Sequence, residues 1–417
     1  MYTIKQLIAD QNLKMKRVLI SAFTCQPNKG SEYSNGWNWP LRLAQNGFEV
    51  HCLTWKRNQP FIKAVEVPEN LHFHFIELPF RLKVLYGLSQ PTMYLYYILW
   101  QRLAYNVAKK LHKQKKFDVV HHVSWGSIQM GSFLYKLDAP FIFGPAGGGQ
   151  KAPIAFKQYF LNAWASEIKR ERVTDWFIAN NPACKKMLRN AHAVIAANNE
   201  TLELVKSIGS KNCSIAFDHA ITDEYFPANF LPKVPEKGKL KLIWVGRFMP
   251  RKALLLSLEV MQRLKAYPNI TLTVLGDGEM KNEVLNKIKE YGLEETVTLT
   301  GMIPFENVKD YYASHDVFFF NSLRDSGPSQ LIDAMAYGLP VVTINLHGQG
   351  AIVNDETGIK CKCDTPEMAI EELEKAIIYL YNNPKRVTEM SSAAYQFAKK
   401  QTWTSRLETL VAKYYPL

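Results

Sequence analysis

Val18-Leu-Ile-Ser-Ala-Phe23, an apolar run broken by one serine, stands between Lys16-Arg17 and a polar loop over 26–36. A helical pattern over 37–46 follows, and then a second run, Glu49-Val-His-Cys-Leu-Thr-Trp55. Strand, loop, helix, strand in that order is one βαβ unit, whose outcome is a parallel sheet covered by helices. Strand-sized runs at 72–77, 119–123, 141–143 and 194–197 continue the rhythm. It breaks over 226–241, where Pro227, Pro232, Pro235 and Gly238 sit among charges, the composition of a linker. A second alternation then begins, with strands over 240–245, 272–275, 297–299, 317–321 and 340–344. Helical patterns at 254–266, 281–291, 307–314 and 331–337 separate them, and one long helix is expected over 390–414. The predicted organisation is an appendage at 1–14, a Rossmann-like domain over 15–225, a linker over 226–240 and a second Rossmann-like domain over 241–389. A helical segment over 390–417 is expected to pack back on the first domain. Two such α/β domains facing each other imply a cleft into which strand ends present a ligand site.

The bulk properties agree with this division. A chain of 417 residues exceeds one ordinary core, and 47% apolar with 21% charged residues is a globular composition. No apolar run reaches the roughly 18 residues that cross a bilayer. The run at 18–23 lacks the length and cleavage site of a secretory leader. The six cysteines have neither zinc-site nor redox-pair spacing, so reduced thiols and a cytoplasmic location are expected. A net charge of +13 points to anionic partners: nucleotides, nucleic acid or an acidic membrane surface.

Two stretches carry chemistry. In Trp244-Val-Gly-Arg-Phe-Met-Pro-Arg-Lys252 a strand ends at Gly246 and a helix begins after Lys252. That geometry aims backbone N–H groups at an anion, and Arg247 and Lys252 add charge that can neutralise a diphosphate leaving group without a metal. The competing reading is a surface loop with incidental cations. In Asn321-Ser-Leu-Arg-Asp-Ser-Gly-Pro-Ser-Gln-Leu-Ile-Asp333, Asp325 precedes a Gly-Pro turn and Asp333 falls in the next helix. A carboxylate there suits a vicinal diol, and the N–H groups of Ser329 and Gln330 lie where a phosphate can be held. Alternatively, Asp325 caps the turn and Asp333 is an ordinary helix residue.

Taken together, the order Gly246-Arg247…Lys252, Gly276-Asp277-Gly278-Glu279, Thr300-Gly-Met-Ile-Pro304 and Asp325-(seven residues)-Asp333 resembles the C-terminal domain of retaining GT-B glycosyltransferases of family 4 (glycosyltransferase group 1). The likeness is strong over about 240–345 and looser before it. It implies a nucleotide-sugar donor, with Gly246, Arg247 and Lys252 on the diphosphate and Asp325 on the donor sugar. It also implies Asp333 on the ribose and the backbone of Met302 and Ile303 on the base. The family carries Glu at both acid positions where this chain has Asp, which withdraws each carboxylate by about a bond length. In the first half, Gln26-Pro-Asn-Lys-Gly-Ser-Glu32 resembles the family's glycine loop, in which Gly30 approaches the donor phosphates. Glu32 faces the acceptor or simply opens a helix.

His121 and His122 end one strand and Gly144-Pro-Ala-Gly-Gly-Gly149 ends another. Neighbouring strand positions point to opposite faces, so one histidine lines the site, and His122 is preferred as catalytic, with Gly147 and Gly148 on the acceptor side. A core histidine is the competing reading. No third ligand with suitable spacing makes this pair a zinc site, and no Asp-x-Asp motif occurs, so neither a metal nor another cofactor is expected. The resemblance implies hexose transfer with retention to a glycan or lipid-linked acceptor in cell-surface polysaccharide synthesis. Aromatic and basic residues over 80–116, with Ile4, Leu7 and Ile8 in the appendage, point to an anionic membrane surface; an aromatic stripe packed in the core is the competing reading. The rivals are a nucleotide-sugar epimerase of the same fold and a basic nucleic-acid-binding protein. No nucleic-acid module is recognisable, so a nucleic-acid partner is not expected.

Overall fold

A computed structural model describes residues 16–415; the predicted appendage at 1–14 lies outside them. The chain divides into two compact units. The first comprises residues up to Gly149, then Val173–Ala220, and the chain from Trp403 onward. The second comprises Gln150–Arg172 and Ile221–Thr402.

The strands of the first unit are β1 (Arg17–Ala22), β2 (Glu49–Trp55), β3 (Leu71–Ile76), β4 (Val119–Ser124), β5 (Phe141–Ala146), β6 (Ala193–Ala196) and β7 (Cys213–Ile215). They form a sheet in the order β3-β2-β1-β4-β5-β6-β7, with every adjacent pair parallel. The second unit has β8 (Leu240–Val245), β9 (Ile270–Leu275), β10 (Val297–Gly301), β11 (Val317–Phe319), β12 (Val341–Ile344) and β13 (Gly358–Cys361). Its order is β10-β9-β8-β11-β12-β13, again parallel throughout. Both are doubly wound, Rossmann-like sheets, and the fold class read from the sequence holds. The central strands are continuous apolar runs because helices cover both faces: β4, β5, β6 and β12 are buried along their whole length.

The expected helix over 37–46 begins earlier, at Ser31, and runs to Gln45. Gly36 and Pro40, both poor helix formers, hide it from a pattern search. Packing overrides propensity here. A Cβ on residue 36 would come within 1.8 Å of the Thr24 carbonyl oxygen, so glycine lets the helix lie against the loop after β1. The loop expected at 26–36 is therefore loop only to Gly30, and residues 31–36 already belong to the helix.

The last helix is also not one element. Pro384–Lys399 and Trp403–Tyr414 are separate helices, and the chain passes from one unit to the other between Thr402 and Trp403. Pro384–Lys399 belongs to the second unit, whereas Trp403, Leu407, Leu410, Val411 and Tyr414 join Val18, Ile20, Trp39 and Phe48 in the core of the first. Trp403 meets Trp39 edge to face at 5.8 Å, and each such buried side chain contributes about 1.5–3 kcal/mol. Residues 150–172, read as part of the first domain, likewise lie in the second unit, where Tyr159 donates to Glu259 at 2.7 Å.

Candidate active site

In the second unit the strand order reverses between β8 and β11, and the loops after those strands carry the charged motifs. They are stitched together: the carbonyl of Arg251 accepts from the Leu323 N–H at 2.8 Å and from the Ser322 hydroxyl at 3.0 Å. The buried ammonium of Lys252 donates to Asp325 Oδ2, and Arg251 Nη1 reaches the same oxygen at 3.2 Å. Burial alone would raise the Asp325 carboxyl, but the charges of Lys252 and Arg251 prevail and hold it below the usual carboxylate range. Burial lowers Lys252 and Asp325 pulls it back up; Arg251 and Arg247 oppose that recovery. The Arg247 guanidinium is exposed. Arg251 and Lys252 thus share one carboxylate, and Arg247 lies near enough for its charge to reach Lys252.

The sequence reading missed Arg251, although it lies inside the quoted motif; its side chain, not that of Arg247, pairs with Asp325. Other supports carry no local signal. Glu167 holds Arg324, the residue before Asp325, with contacts of 2.5 and 3.1 Å across 157 residues of sequence. Gln349 clasps Ser322 from both sides, its amide donating to the Ser322 carbonyl at 2.9 Å and its oxygen accepting the Ser322 N–H at 3.1 Å. Gly276, at φ +140°, lets the Gly-Asp-Gly turn approach the Gly246 carbonyl, where a Cβ would lie at 1.8 Å.

Ser329 and Gln330 open the short helix Ser329–Met335, on which Asp333 is buried rather than solvated. Asp333 lies close enough to Tyr225 and Tyr312 to add to the rise that burial imposes on both phenols. Met302 is exposed and Ile303 half-buried in the loop joining β10 to Phe305–Ser314. The structure therefore gathers Gly246, Arg247, Lys252 and Asp325 around β8 and β11.

The first unit repeats the arrangement between β1 and β4. The Ser124 hydroxyl donates to the Thr24 carbonyl at 2.9 Å and accepts the Thr24 N–H at 3.1 Å, joining the two loops. Glu32, in the first turn of Ser31–Gln45, accepts the Gly126 N–H at 3.0 Å. Burial raises its carboxyl to about 7, against the pull of that hydrogen bond. Gly30 is the extended residue before the helix and has open space around it. Gly147 accepts the Ile128 N–H and donates to Gly126, and Gly148 exchanges hydrogen bonds with Thr201.

His122 corrects the sequence reading. Both histidines are wholly buried, so neither presents a ring to a bound substrate. His121 bonds the Tyr415 hydroxyl at 2.8 Å and the Gly144 carbonyl at 2.7 Å. His122 Nε2 lies 3.2 Å from the Trp125 carbonyl and 3.3 Å from the Tyr97 hydroxyl. Burial lowers it to about 4, so it is neutral near pH 7 and braces the loop that contacts Glu32. Opposite faces were read correctly; exposure was not.

The family model for glycosyl transferases group 1 matches residues 228–397, and the second unit carries a domain of that kind. An uncharacterized glycosyltransferase of Haemophilus influenzae is 32% identical over 169 residues, 40% of this chain and 45% of that protein. The N-acetylgalactosamine-N,N'-diacetylbacillosaminyl-diphospho-undecaprenol 4-alpha-N-acetylgalactosaminyltransferase of Campylobacter jejuni is 32% identical over 171 residues, again 40% of this chain and 45% of the relative. The chain thus spans less than half the length of these curated relatives. Anabaena HepE, solved in complex with UDP, superposes with a TM-score of 0.64 at 13% identity, covering 96% of this chain and 99% of that one. The fold is GT-B. These relationships favour neither the epimerase nor the nucleic-acid-binding alternative.

Removing the carboxylate leaves Lys252 and Arg251 without their shared anion, and breaking a buried pair costs about 3–5 kcal/mol. Asp325→Ala should lower stability at neutral pH by that order. Because the folded-state carboxyl lies below the ordinary 3.8, the pair's contribution is present above that value and fades as pH falls further. Urea denaturation from pH 7 to pH 3 should show the gap between wild type and variant closing at the acid end. A gap independent of pH would contradict the assignment.

Proposed function

We propose that this protein transfers a hexose from a nucleoside-diphosphate sugar to a glycan or lipid-linked acceptor, with retention of configuration and without a catalytic metal. One observation carries the reading: at the strand reversal of the second unit Lys252 and Arg251 share the single Asp325 carboxylate, with the charge of Arg247 close to Lys252. That leaves two positive charges unmatched, which suits a diphosphate. Arg247 and Lys252 stabilise the departing nucleoside diphosphate as charge develops on it. Lys252 is held by Asp325, so it is already oriented and desolvated before the donor arrives. Asp333 binds the ribose, the backbone of Met302 and Ile303 the base, and the N–H groups of Ser329 and Gln330 a phosphate. In a retaining transfer the donor phosphate oxygen takes the acceptor's proton on the face from which it leaves. The uridine nucleotide in the HepE structure supports a nucleotide donor.

The acceptor belongs at the loops of the first unit, where Glu32, Gly147 and Gly148 lie. A lipid-linked acceptor in cell-surface polysaccharide synthesis is supported by the Campylobacter relative's diphospho-undecaprenol substrate name. It is also supported by an apolar cavity of about 230 Å³ lined by Ile98, Met130, Phe133, Trp176, Phe177 and Pro182. The membrane reading itself changes footing. Tyr96, Tyr97 and Trp100 are core residues and Tyr86, Tyr94 and Tyr105 pack on that core, so the aromatic stripe offers no interfacial face. What supports an anionic surface is the exposed set Arg102, Lys109, Lys110, Lys113 and Lys116, on the inner face of the plasma membrane. No helix among the described residues is long and apolar enough to cross a membrane. Sedimentation with anionic vesicles at low salt, abolished at high salt, is the expected result; no binding at low salt would remove this part of the proposal.

Arg247 is exposed, so Arg247→Ala should fold as wild type does while turnover falls about a hundredfold, roughly 3 kcal/mol of barrier. Wild-type turnover in that variant would sink the clamp. The same assay across pH reads Glu32. If its ionised form accepts a hydrogen bond from the acceptor hydroxyl, kcat/KM rises through about pH 7 and levels above it. Glu32→Gln should lose that rising limb, and an unchanged profile would assign the limb elsewhere.

A further inference from the structure

Glu49 and His51 lie on β2 and His72 and His74 on β3. His51 stands directly opposite His72 in the register, and residues two apart along a strand share a face, so the four side chains form one patch. The other face of β3 is apolar, with Phe73 stacked on Trp37. The patch is at the N-terminal ends of these strands, away from the loops that follow their C-terminal ends.

The spacing within it is that of a coordination shell. His51 Nε2 lies 3.2 Å from Glu49 Oε1, and the rings of His51 and His72 are 4.8 Å apart, centre to centre. One ligand atom each from Glu49, His51 and His72 falls within 4.8 Å of the other two. Two ligands of a tetrahedral ion with bonds of 2.0–2.1 Å stand about 3.3 Å apart, so the Glu49–His51 pair is already at ligand spacing. His72 is exposed, so a water can complete the shell. His74 Nε2 lies 2.9 Å from His51 Nδ1, the outer hydrogen bond that orients a ligating imidazole. When His51 gives its Nδ1 proton to that bond, its Nε2 lone pair faces a carboxylate oxygen. Two acceptors at that distance need a cation or a proton between them.

We propose that Glu49, His51 and His72 bind one divalent transition-metal cation of the zinc class, with His74 as a positioning residue for His51. Imidazole ligands select zinc, cobalt or nickel over magnesium and calcium. Arg17 holds Glu49 Oε2 at 2.7 Å and keeps that oxygen, while Lys115, half-exposed and 3.4 Å from Oε1, gives way to the ion. The bound ion ties the edge strand β3 to β2. This site is independent of the proposed transferase chemistry.

The test uses the full chain stripped with a chelator and titrated with Zn²⁺ against a chromophoric competitor. One equivalent should bind, and Co²⁺ should give the visible band of a tetrahedral nitrogen and oxygen site. His72 is exposed, so His72→Ala removes a ligand without touching the core, and it should lose at least tenfold in affinity together with the cobalt band. His74→Ala should lose about 10- to 100-fold, the usual cost of removing an outer partner. Nucleoside diphosphate binding should be the same in wild type and both variants, which separates this site from the donor site. Wild-type protein that binds no Zn²⁺, or wild-type affinity in His72→Ala, would overturn the proposal and leave a histidine cluster held by protons alone.

Discussion

Parallel strands deliver every chain crossing to the same end of a sheet, and the strand order 3-2-1-4 sends the connections after strands 1 and 4 apart. Neither connection can then cover the gap between those two strands. The molecule meets this constraint twice, at β1 and β4 and again at β8 and β11. In each case polar contacts brace the two loops: the Ser124 hydroxyl to Thr24 in one, the Arg251 carbonyl to Ser322 and Leu323 in the other. The proposed phosphate clamp and the Glu32 contact lie at those loops.

Charge then differentiates the two gaps. The second unit sets Arg251 and Lys252 on Asp325, with Arg247 near Lys252, an excess of positive charge that suits the proposed diphosphate. The first unit places Glu32 beside a braced backbone, with burial raising its carboxyl toward neutrality. A preorganised cation costs little reorganisation when the leaving group forms, and Asp325 maintains Lys252 in that state.

Much of the fold was legible because periodicity is local. The runs at 18–23 and 49–55, the proline-rich break near 226–241 and the second alternation each announce themselves within a dozen residues. The starts of helices were less legible where packing overrode propensity, as at Gly36, which only proximity to the Thr24 carbonyl explains. The clustering of Gly246, Lys252 and Asp325 was readable because strand, glycine, cations and helix follow one another in sequence. Arg251 was overlooked because sequence gives no way to rank two arginines four apart. The brace from Glu167 to Arg324 and the clasp of Gln349 on Ser322 join residues 157 and 27 positions apart, and no local pattern encodes such pairs. His122 was misjudged because alternation reports the face of a strand but not whether that face is covered.

The claim on which the account rests is that the loops after β8 and β11 bind a nucleoside diphosphate through protein cations. Thermal shift with UDP, GDP, ADP and CDP, each in excess chelator, tests it directly on wild type and Arg247→Ala. The account predicts that at least one nucleotide raises the wild-type melting temperature without added metal, and that the shift shrinks in Arg247→Ala. No stabilisation by any of the four, or equal stabilisation of the variant, would contradict it.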